Sequence, residues 1–531
     1  MHHAFCAGLM SWGLPKTLRS ETRRSSRPNI VFFILDDMHR HMFNCLPEGR
    51  GKNLTPTIDR LAAEGMLMLG QHVVSPVCTP SRYNCLTGKY ASRALGHQAE
   101  SGQQTVVTWN THIRPNDKTV ASLLKKAGYA TGFVGKNHVV QVPGWKKVAW
   151  DADPAAPDVK GHLKKNANHL RSALKTVGFD FADRLYHNNP DGNGSRHLAV
   201  HNLDWITEGA LNFIDQNCDT PFFLYFASTI PHGPTARERS WHADPRITAD
   251  GILEQPPHVL PDRDSLPQRL KQAGVKTSGR ENLLWLDDAV GAVMARLEKH
   301  GLDQNTVIFF FNDHGQAAKG TVYQGGVSNP SIIWRKGGFP GGSSSDALIS
   351  NVDFAPTILD LTGVTKVNTT FDGKSFASVL EGQSQAIHKT LYFELGYARG
   401  VRKGPWKYLA LRYPPSAKNT SLETRRKTLE RVNKNLRRRG RPIITEDPTT
   451  PFSHVSLIPG GGDAERSSTG QYPAYYDVDQ LYNLAKDPTE QTNLAHDQAY
   501  ASVLKDMKRE LACYLETLPG TFAELKPGTR S

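Results

Sequence analysis

Acidic, basic and imidazole side chains come directly after four apolar runs of this 531-residue sequence. The runs are residues 30–35, 130–134, 221–227 and 306–311, and the side chains just beyond them are Asp36 and Asp37, Lys136 and His138, His232, and Asp313 and His314. One such residue alone is more typical of a turn or a helix N-cap. Carboxylates from two neighbouring strand ends, however, form an oxygen-rich pocket that suits a hard divalent cation. The four runs together therefore favour a metal-binding site with catalytic side chains around it.

Strands and helices alternate in the sequence around these residues. Residues 30–35 (IVFFIL) are β-branched or aromatic almost throughout, which is the pattern of a strand buried on both faces. The other predicted strands are the three remaining runs and Ser331 to Trp334, and the predicted helices cover 55–65, 118–126, 196–216 and 281–299. This alternation predicts an α/β fold with a mostly parallel sheet covered by helices on both faces. Such sheets bind ligands at the carboxyl ends of their strands, where the polar side chains lie.

The pattern changes after about residue 385. Residues 391–413 contain aromatic and β-branched segments divided by turns at Gly400 and Gly404, without a helical pattern between them. We therefore predict a catalytic α/β domain over 28–385 and a smaller C-terminal α+β subdomain, built on an antiparallel sheet, over 386–531. Residues 1–27 form a leader with a short apolar patch that basic residues follow rather than precede. The leader is either a degenerate signal peptide or a disordered segment.

The overall composition is that of a large folded protein. Hydrophobic residues make up 38% of the chain and charged residues 22%, values far from those of a disordered protein. No apolar run reaches the roughly 18 residues that a membrane-spanning helix needs. Six cysteines in 531 residues do not make a disulfide framework. Apart from Cys78, the cysteines are expected to be free thiols: Cys6, Cys45, Cys85, Cys218 and Cys513.

Much of the positive charge lies in one segment, residues 416–441. Ten basic residues stand between Lys418 and Arg441 against Glu423 and Glu430, and they contribute +8 of the net charge of +13. One interpretation is a solvated helix face or a flexible surface insertion, and the other is a basic surface that attracts a polyanion. The segment lacks interleaved aromatic residues for base stacking, so nucleic acid is not the expected partner. An anionic polysaccharide would use the same electrostatics.

The most specific motif lies at residues 76–88, which read PVCTPSRYNCLTG. Cys78 heads a C-x-P-S-R element, and L-T-G follows it at 86–88. This combination resembles the hallmark of the type I sulfatases of the alkaline phosphatase superfamily. Further blocks similar to that family are D-D at 36–37, G-K-x-H at 135–138, P-H-x-P at 231–234, D-H-G at 313–315, K-G-x-x-Y-Q-G-G at 319–326, L-Y-N-L at 481–484 and D-P-x-E at 487–490. The resemblance covers residues 28 to about 515 and implies an alkaline-phosphatase-like fold.

The resemblance also implies the chemistry of the site. A maturation enzyme oxidises the motif cysteine of this family to formylglycine, so Cys78 would become an aldehyde. Its hydrate, bound to Ca²⁺, would attack the sulfur of a sulfate ester and form a covalent sulfo-enzyme intermediate. The implied metal ligands are Asp36, Asp37, Asp313, His314 and the modified Cys78. His314 stands where Asn is more frequent in the family, and imidazole is a less usual ligand for Ca²⁺ than for softer metals.

The remaining residues of the family pattern receive roles by the same resemblance. Arg82, Lys136 and Lys319 would hold the aldehyde hydrate and the sulfate oxygens, whose charge rearranges in the transition state. His232, together with Lys319, would protonate the leaving alcohol. His138 would remove a proton from the second hydroxyl, which expels sulfate and regenerates the aldehyde.

The substrate is expected to be a sulfated saccharide, by similarity to bacterial polysaccharide sulfatases, and a carrageenan-like galactan is one candidate. Polar and aromatic residues of two predicted loops are the candidate sugar contacts: Trp109, His112, Arg114, His187, Asn188 and Arg196. Two alternatives from other classes are a phosphonate or phosphate diester hydrolase of the same superfamily and a non-catalytic polyanion-binding protein. The resemblance favours a periplasmic or secreted location, and the oligomeric state stays open.

Overall fold

The structure is a computed structural model that describes residues 27–94, 105–115, 117–233, 237–413, 415–440, 443, 445–458, 470–522 and 525. Its first twelve strands, in chain order, are β1 (Asn29–Asp36), β2 (Met66–Met68), β3 (Gln71–His72), β4 (Ala130–Lys136), β5 (Phe181–Tyr186), β6 (Phe222–Pro231), β7 (Ile247–Thr248), β8 (Gly251–Ile252), β9 (Thr306–Asn312), β10 (Ser331–Arg335), β11 (Ser343–Ser345) and β12 (Ile349–Ser350). Eight of them form the central sheet in the order β11-β2-β10-β9-β1-β6-β4-β5, whereas β3 pairs with β12 and β7 with β8.

The centre of this sheet is parallel and buried on both faces. β1 pairs in parallel with β6 and β9, and β4 pairs in parallel with β5 and β6. Along β1, Ile30, Phe32 and Ile34 enter one hydrophobic cluster, whereas the alternate side chains enter a second cluster on the other face. This two-residue alternation is the geometry of a strand with a core on each side. The predicted mostly parallel α/β sheet is confirmed.

Helices cover both faces of the sheet. Their bounds are α1 (Pro56–Glu64), α2 (Cys78–Thr87), α3 (Val120–Lys126), α4 (Pro157–Thr176), α5 (Leu203–Gln216), α6 (Leu266–Gln272), α7 (Glu281–Lys299), α8 (Gln324–Val327), α9 (Phe354–Leu361), α10 (Ala377–Leu380), α11 (Pro415–Lys418), α12 (Leu422–Arg438) and α13 (Ala501–Glu516). Short 3₁₀ turns lie at Arg40–Met42, Ala91–Arg93, Pro190–Asn193, Arg196–Leu198, Arg237–His242, Arg263–Ser265, Asp303–Asn305, Asn351–Asp353 and Gln498–Tyr500.

The helix predicted over 196–216 is shorter than expected. The structure has a 3₁₀ turn at Arg196–Leu198, and α5 begins only at Leu203. Asn202 caps α5 by accepting the N–H of Trp205 over 3.1 Å, and Nδ1 of His201 lies 2.8 Å from Oγ1 of Thr229. The Asn202 cap favours a helix that begins at residue 203, because capping side chains compete with helical hydrogen bonds. The contact of His201 with Thr229 holds the residue before Asn202 against β6.

A second sheet follows in the C-terminal region. Its strands are β13 (Thr390–Leu395), β14 (Ala398–Lys403), β15 (Trp406–Leu411) and β16 (Asp479–Asn483), and each neighbouring pair is antiparallel. The predicted antiparallel C-terminal sheet is therefore confirmed, while the boundary at residue 385 stays a prediction. Leu391, Phe393 and Leu409 pack into the same hydrophobic cluster as one face of the central sheet, so the two sheets share a core.

Several predictions concern residues outside the described ranges. These are the leader up to residue 26, Cys6, part of the loop before Trp109, Pro234 and Arg441. In the described part of the chain, no helix is long and apolar enough to cross a membrane. Cys45, Cys85, Cys218 and Cys513 are free thiols, as predicted. Most of the basic segment is α12, so its charge lies on a helix.

Candidate active site

The predicted site residues come together at one edge of the central sheet. β9, β1, β6 and β4 run in the same direction, so their carboxyl ends lie side by side. At these ends stand Asp36 and Asp37 of β1, Lys136 and His138 of β4, His232 of β6, and Asp313 and His314 of β9. Helix α2 brings Cys78 and Arg82 to this edge, and the loop before α8 brings Lys319.

Cys78 is the first residue of α2 and is only 2% exposed. Its Sγ lies 3.4 Å from Oδ1 of Asp36 and 3.6 Å from Nε2 of His314. Burial and the Asp313 carboxylate raise the pKa of this thiol. A nucleophilic cysteine needs the opposite shift, towards the thiolate. The unmodified thiol of Cys78 is therefore poorly suited to nucleophilic attack.

Hydrogen bonds from Ser81 and Asn351 fix the first turn of α2 against the end of β9. The hydroxyl of Ser81 donates to the carbonyl oxygen of Asp313, and Nδ2 of Asn351 donates to Oγ of Ser81 over 2.9 Å. Oδ1 of Asn351 in turn accepts the N–H of Val74 over 3.0 Å. The serine of the C-x-P-S-R element therefore positions Cys78 relative to Asp313.

One set of side chains is close enough to hold a metal ion. Ligand atoms of Asp37, Cys78, Asp313 and His314 all lie within 4.8 Å of one another, and all four residues are buried. Asp36, also predicted as a ligand, lies beside this set against Sγ of Cys78. Although burial opposes it, the carboxylates of Asp313 and Asp37 raise the pKa of His314 well above its ordinary value. Carboxylates that favour a proton on an imidazole so strongly also favour a bound cation, so this donor set fits a divalent metal ion.

Each buried carboxylate of the site has a cationic partner. The three pairs are Arg82–Asp313 at 3.1 Å, Lys319–Asp37 at 2.6 Å, and Lys136–Asp36. Burial opposes ionisation of Asp36 and Asp37, yet the pKa of both is lowered, chiefly by their lysine partners. Burial and neighbouring carboxylates raise the pKa of Asp313. Three fixed cations, each paired with a carboxylate, thus lie around Cys78. A divalent cation bound to the carboxylates would balance their charge, and the three side chains could then bind an anion.

Two histidines flank this cluster. Nε2 of His232 lies 3.2 Å from Oδ2 of Asp37, and its Nδ1 lies 2.8 Å from the carbonyl oxygen of Gly233. The Nδ1 atom of His138 is buried and has no hydrogen-bond partner among the residues that the structure describes. Burial and Lys136 lower the pKa of His138 well below its ordinary value. Its imidazole is therefore neutral at neutral pH and can accept a proton.

Asn189, which was not among the predicted residues, joins two parts of the site. Its Oδ1 accepts a hydrogen bond from Nζ of Lys136 over 2.6 Å, and its Nδ2 lies 3.0 Å from Nδ1 of His232. Asn189 thereby links the cation at the end of β4 to the imidazole after β6. The polar segment 187–196 was the available signal, but composition alone does not distinguish one Asn of that segment from another.

The turn after β1 is held in an uncommon conformation. Asp37 has a φ of 63°, which residues other than glycine rarely adopt. The side chain of Asn312 stabilises this turn, since its Oδ1 accepts the N–H of Met38 over 2.8 Å and its Nδ2 donates to the carbonyl oxygen of Met38 over 2.9 Å. The last residue of β9 therefore fixes the direction of the Asp37 carboxylate.

Gly135 allows the end of β4 to approach β6 closely. Its φ is 88°, and a Cβ at this position would lie 1.9 Å from the carbonyl oxygen of Ala227. A larger residue would displace the backbone that carries Lys136 and His138. The glycine of the G-K-x-H block is therefore required by close packing.

Trp109 and Asn188, two of the predicted sugar contacts, lie beside the cluster. Nζ of Lys319 lies 5.8 Å from the ring centroid of Trp109, which is a cation–π distance. Oδ1 of Asn188 accepts the N–H of Asn189 over 2.8 Å. Both residues border the side chains that would meet a sulfate group, although neither contact involves a sugar.

His112 and His187 form a second group near His138. Besides burial and Lys136, His112 contributes to the lowered pKa of His138. The ring of His187 stacks on Trp145 with a centroid distance of 3.8 Å, and burial lowers its pKa to about 4. The stacked rings of Trp145 and His187 therefore lie next to His138, whose backbone N–H donates to the carbonyl oxygen of His187 over 3.0 Å.

Arg114 and Arg196 are further from the carboxylate cluster. The backbone N–H of Arg114 donates to Oδ2 of Asp117 over 3.0 Å, and the residue is exposed. Arg196 pairs with Asp151 at 3.1 Å, and both side chains are more than half exposed. The structure thus does not bring Arg196 together with the other site residues, and its role in binding stays a prediction.

Gln324, which replaces a Glu of the family pattern, lies in a separate network. Its Oε1 accepts a hydrogen bond from Nζ of Lys407 over 3.3 Å, and Lys407 also pairs with Glu490 at 2.8 Å. Lys407 and Glu490 are fully buried. Because Glu490 already balances the charge of Lys407, a neutral side chain at 324 satisfies this network.

A model of the sulfatase family matches residues 28–364, more than half of the chain, and the protein belongs to this family. The N-acetylgalactosamine-6-sulfatase of Mus musculus is 27% identical over 388 residues, which are 67% of this chain and 65% of that protein. The match thus spans less than two thirds of that relative's length. An ulvan-active sulfatase of Formosa agariphila is 24% identical over 528 residues, which are 98% of this chain and 87% of that protein.

A solved structure shares the fold over nearly the whole chain. It is a Bacteroides thetaiotaomicron protein described in connection with the metabolism of multiple glycosaminoglycans. The TM-score is 0.60 at 20% identity, and the alignment covers 92% of this chain and 99% of that one. The two-sheet architecture described above is therefore that of a known sulfatase-type structure.

Proposed function

We propose that this protein is a sulfuric ester hydrolase whose nucleophile derives from Cys78. The observation that carries the proposal is the position of Cys78 at the start of α2, with three carboxylate–cation pairs around it. The C-x-P-S-R element that Cys78 heads supports the modified residue, since it resembles the motif whose cysteine is oxidised in this family. A formylglycine at position 78, once hydrated and bound to Ca²⁺, would supply an oxygen nucleophile of low pKa.

The proposed residues for Ca²⁺ are Asp37, Asp313, His314 and residue 78, with Asp36 beside them. The donor set is rich in carboxylate oxygen, as a hard cation requires, and its members are at most 9% exposed. His314 must be neutral to bind a metal, so the ion would replace the proton that the carboxylates now favour.

Arg82, Lys136 and Lys319 would bind and orient the sulfate group. Their side chains are buried or nearly so, and their positions are fixed by the paired carboxylates. Fixed cations in a site that excludes water stabilise developing negative charge without reorganisation, and removal of one donor costs about 10²–10³-fold in comparable enzymes. The fully buried Arg82 also holds Asp313 through two of its nitrogens, at 3.1 and 3.3 Å.

The histidines would move the protons. His232 and Lys319 both contact Asp37 and therefore stand together on the side from which a leaving alcohol would depart. Burial lowers the pKa of His232, so donation by this imidazole would depend on the charged Lys319 beside the same carboxylate. His138 would accept the proton when sulfate is released, since its lowered pKa keeps the imidazole neutral and its buried Nδ1 has no hydrogen-bond partner among the described residues, although the same lowered pKa makes it a weak base.

A sulfated saccharide is the proposed substrate class. Two relatives support it by name, an N-acetylgalactosamine-6-sulfatase and an ulvan-active sulfatase. The stacked rings of Trp145 and His187 beside His138 also support it, since sugar rings pack against aromatic side chains. A carrageenan-like galactan stays one candidate within the class. We also propose that the enzyme acts in the periplasm or outside the cell, where such polymers are present.

A direct comparison of esters tests the proposed activity. One preparation, matured in the presence of a formylglycine-generating enzyme, is assayed on an aryl sulfate, on a phosphonate ester and on a phosphate diester. We expect the aryl sulfate to be hydrolysed with the highest kcat/KM. A preference for the phosphorus esters would indicate the diester hydrolase instead, and no turnover of any ester by a converted protein would indicate a polyanion-binding protein.

Asn189→Ala is expected to lower kcat on an aryl sulfate about tenfold, or about 1.4 kcal/mol, because the contacts that position Lys136 and His232 are lost. Steady-state kinetics measure this loss. Asn217→Ala is the matched control, since the Asn217 side chain donates to the carbonyl oxygen of Phe213 at the end of α5, at the edge of the sheet opposite the site. Equal rates for Asn189→Ala and the parent protein would show that the bridge does not position these groups.

A further inference from the structure

The basic helix α12 presents a stripe of cations to solvent. Lys427, Arg431, Lys434 and Arg438 follow one another at spacings of four, three and four residues. At 100° per residue they fall within an arc of about 60°, and the stripe is about 16 Å long. All four residues are exposed. These four charges are therefore aligned along one face, whereas Arg425, Arg426 and Arg437 lie on other sides of the helix.

The opposite face of α12 is anchored to the protein. Leu429, Asn433 and Leu436 are at most 5% exposed, and they lie on the side of the helix away from the cations. Nδ2 of Asn433 donates to the carbonyl oxygen of Thr445 over 2.9 Å. The cation stripe is thus held in a fixed orientation, unlike the side chains of a flexible insertion.

Three of the four cations lack an acidic partner. Lys427 pairs with Glu423 at 3.1 Å, whereas no ion pair joins Arg431, Lys434 or Arg438 to any residue of the described ranges. Unbalanced charges of one sign repel one another and reduce stability. A row of three such charges on an anchored helix is the arrangement expected of a surface that binds an anion.

The base of this segment lies next to the candidate active site. The chain leaves β15 before α12 and returns at Leu457, whose carbonyl oxygen accepts the N–H of Tyr397 over 2.9 Å. Leu457 lines a small cavity together with Gly320, the residue after Lys319. Leu457, where the chain returns after α12, therefore lines the same cavity as the loop that supplies Lys319.

We infer that the exposed face of α12 binds an anionic polysaccharide chain and guides it to the site. The inference rests on the proposed function for the identity of the polymer. Cations spaced about 5 Å apart along a helix present a row of binding positions to a linear polyanion. Single-stranded nucleic acid is disfavoured, because α12 has no aromatic residue on which a base could stack.

The test removes the three unpaired charges together, as Arg431→Gln, Lys434→Gln and Arg438→Gln. Glutamine keeps the helix propensity of the exposed positions. The matched control is Lys126→Gln, Lys175→Gln and Lys299→Gln, which removes the same charge from the ends of α3, α4 and α7. These helices end where strands of the central sheet begin, at the edge opposite the site.

We expect the α12 triple variant to have about tenfold lower kcat/KM on carrageenan at about 0.01 M salt, and the difference to vanish near 1 M as the Debye length falls from about 30 to about 3 Å. The rate on an aryl sulfate should equal that of the parent, which also shows that the variant folds. The control triple should match the parent on both substrates. Equal polymer rates for the two triples at low salt would overturn the inference.

Affinity electrophoresis separates this inference from the proposed function. Carrageenan in the gel should retard the parent and the control triple but not the α12 variant, whether or not the preparation hydrolyses an aryl sulfate. Neutral agarose should retard none of them. Equal retardation of all three proteins by carrageenan, or α12-dependent retardation by duplex DNA that exceeds that by carrageenan, would contradict a polysaccharide surface.

Discussion

Replacing Cys78 with Ser is expected to leave the fold intact and to lower the turnover of an aryl sulfate by about 10⁴-fold or more, the scale of losing a nucleophile. Serine fits the space of Cys78 and keeps a hydrogen bond to Asp36, so the melting temperature should change little. Serine cannot form a hydrate, so a sulfate ester formed on it would have no route for self-release. Cys78→Ala, which carries no nucleophile at all, should be equally inactive.

Cys218→Ala is the control for this experiment. Cys218 follows α5 at the edge of the sheet opposite the site, and its side chain packs against the hydrophobic cluster on one face of the sheet. We expect this variant to lose a little stability, since a partly buried side chain becomes smaller, and to keep its rate. Activity of Cys78→Ser within about tenfold of the parent would mean that residue 78 is not the nucleophile.

Asp313→Asn is expected to weaken divalent-cation binding at least about 100-fold and to lower kcat/KM with it. Asp313 is fully buried, belongs to the four residues proposed to hold the metal and pairs with Arg82, so one substitution removes a negative charge that both the metal and Arg82 would use. Excess Ca²⁺ should partly restore the rate, because mass action offsets a weaker affinity. Elemental analysis and the dependence of rate on Ca²⁺ measure both effects.

Asp287→Asn separates the loss of a metal from the loss of a buried carboxylate. Asp287 is 1% exposed and accepts the N–H groups of Thr57 and Ile58 at 3.0 and 2.8 Å, remote from the site. This variant should lose about 1–2 kcal/mol of stability but keep its metal content. Absence of any divalent cation from active parent protein would contradict the ligand assignment, and a preference for a softer metal would indicate that His314 sets the metal's identity.

The strands of the site were predictable because they are buried on both faces. β1 and β9 read as unbroken apolar runs, and in a parallel sheet their carboxyl ends must lie at one edge. The acids after them could therefore be placed together from the sequence alone. Helix α7 was predicted with its observed bounds, Glu281–Lys299, because its apolar residues recur with a helical period.

Contacts between loops could not be predicted in this way. Asn189 meets Lys136 and His232 only because β5, β4 and β6 are neighbours in the sheet, which the order of elements along the chain does not reveal. The start of α5 could not be predicted either, because the side chain of Asn202 caps the helix there. The helical pattern of the sequence begins several residues earlier, and the cap overrides it. The cation stripe on α12 could not be predicted, because it depends on residues 422–438 forming one continuous helix.

Mass analysis of residue 78 tests the central claim most directly. Trypsin releases it in a peptide of residues 61–82, which ends at Arg82 and contains no internal Lys or Arg. In protein expressed with a formylglycine-generating enzyme, this peptide should be about 18 Da lighter than its sequence mass, since an aldehyde oxygen replaces the thiol and one hydrogen. The light fraction should rise in proportion to the specific activity on an aryl sulfate. Fully active protein that carries the unmodified Cys78 peptide throughout would contradict the proposed mechanism.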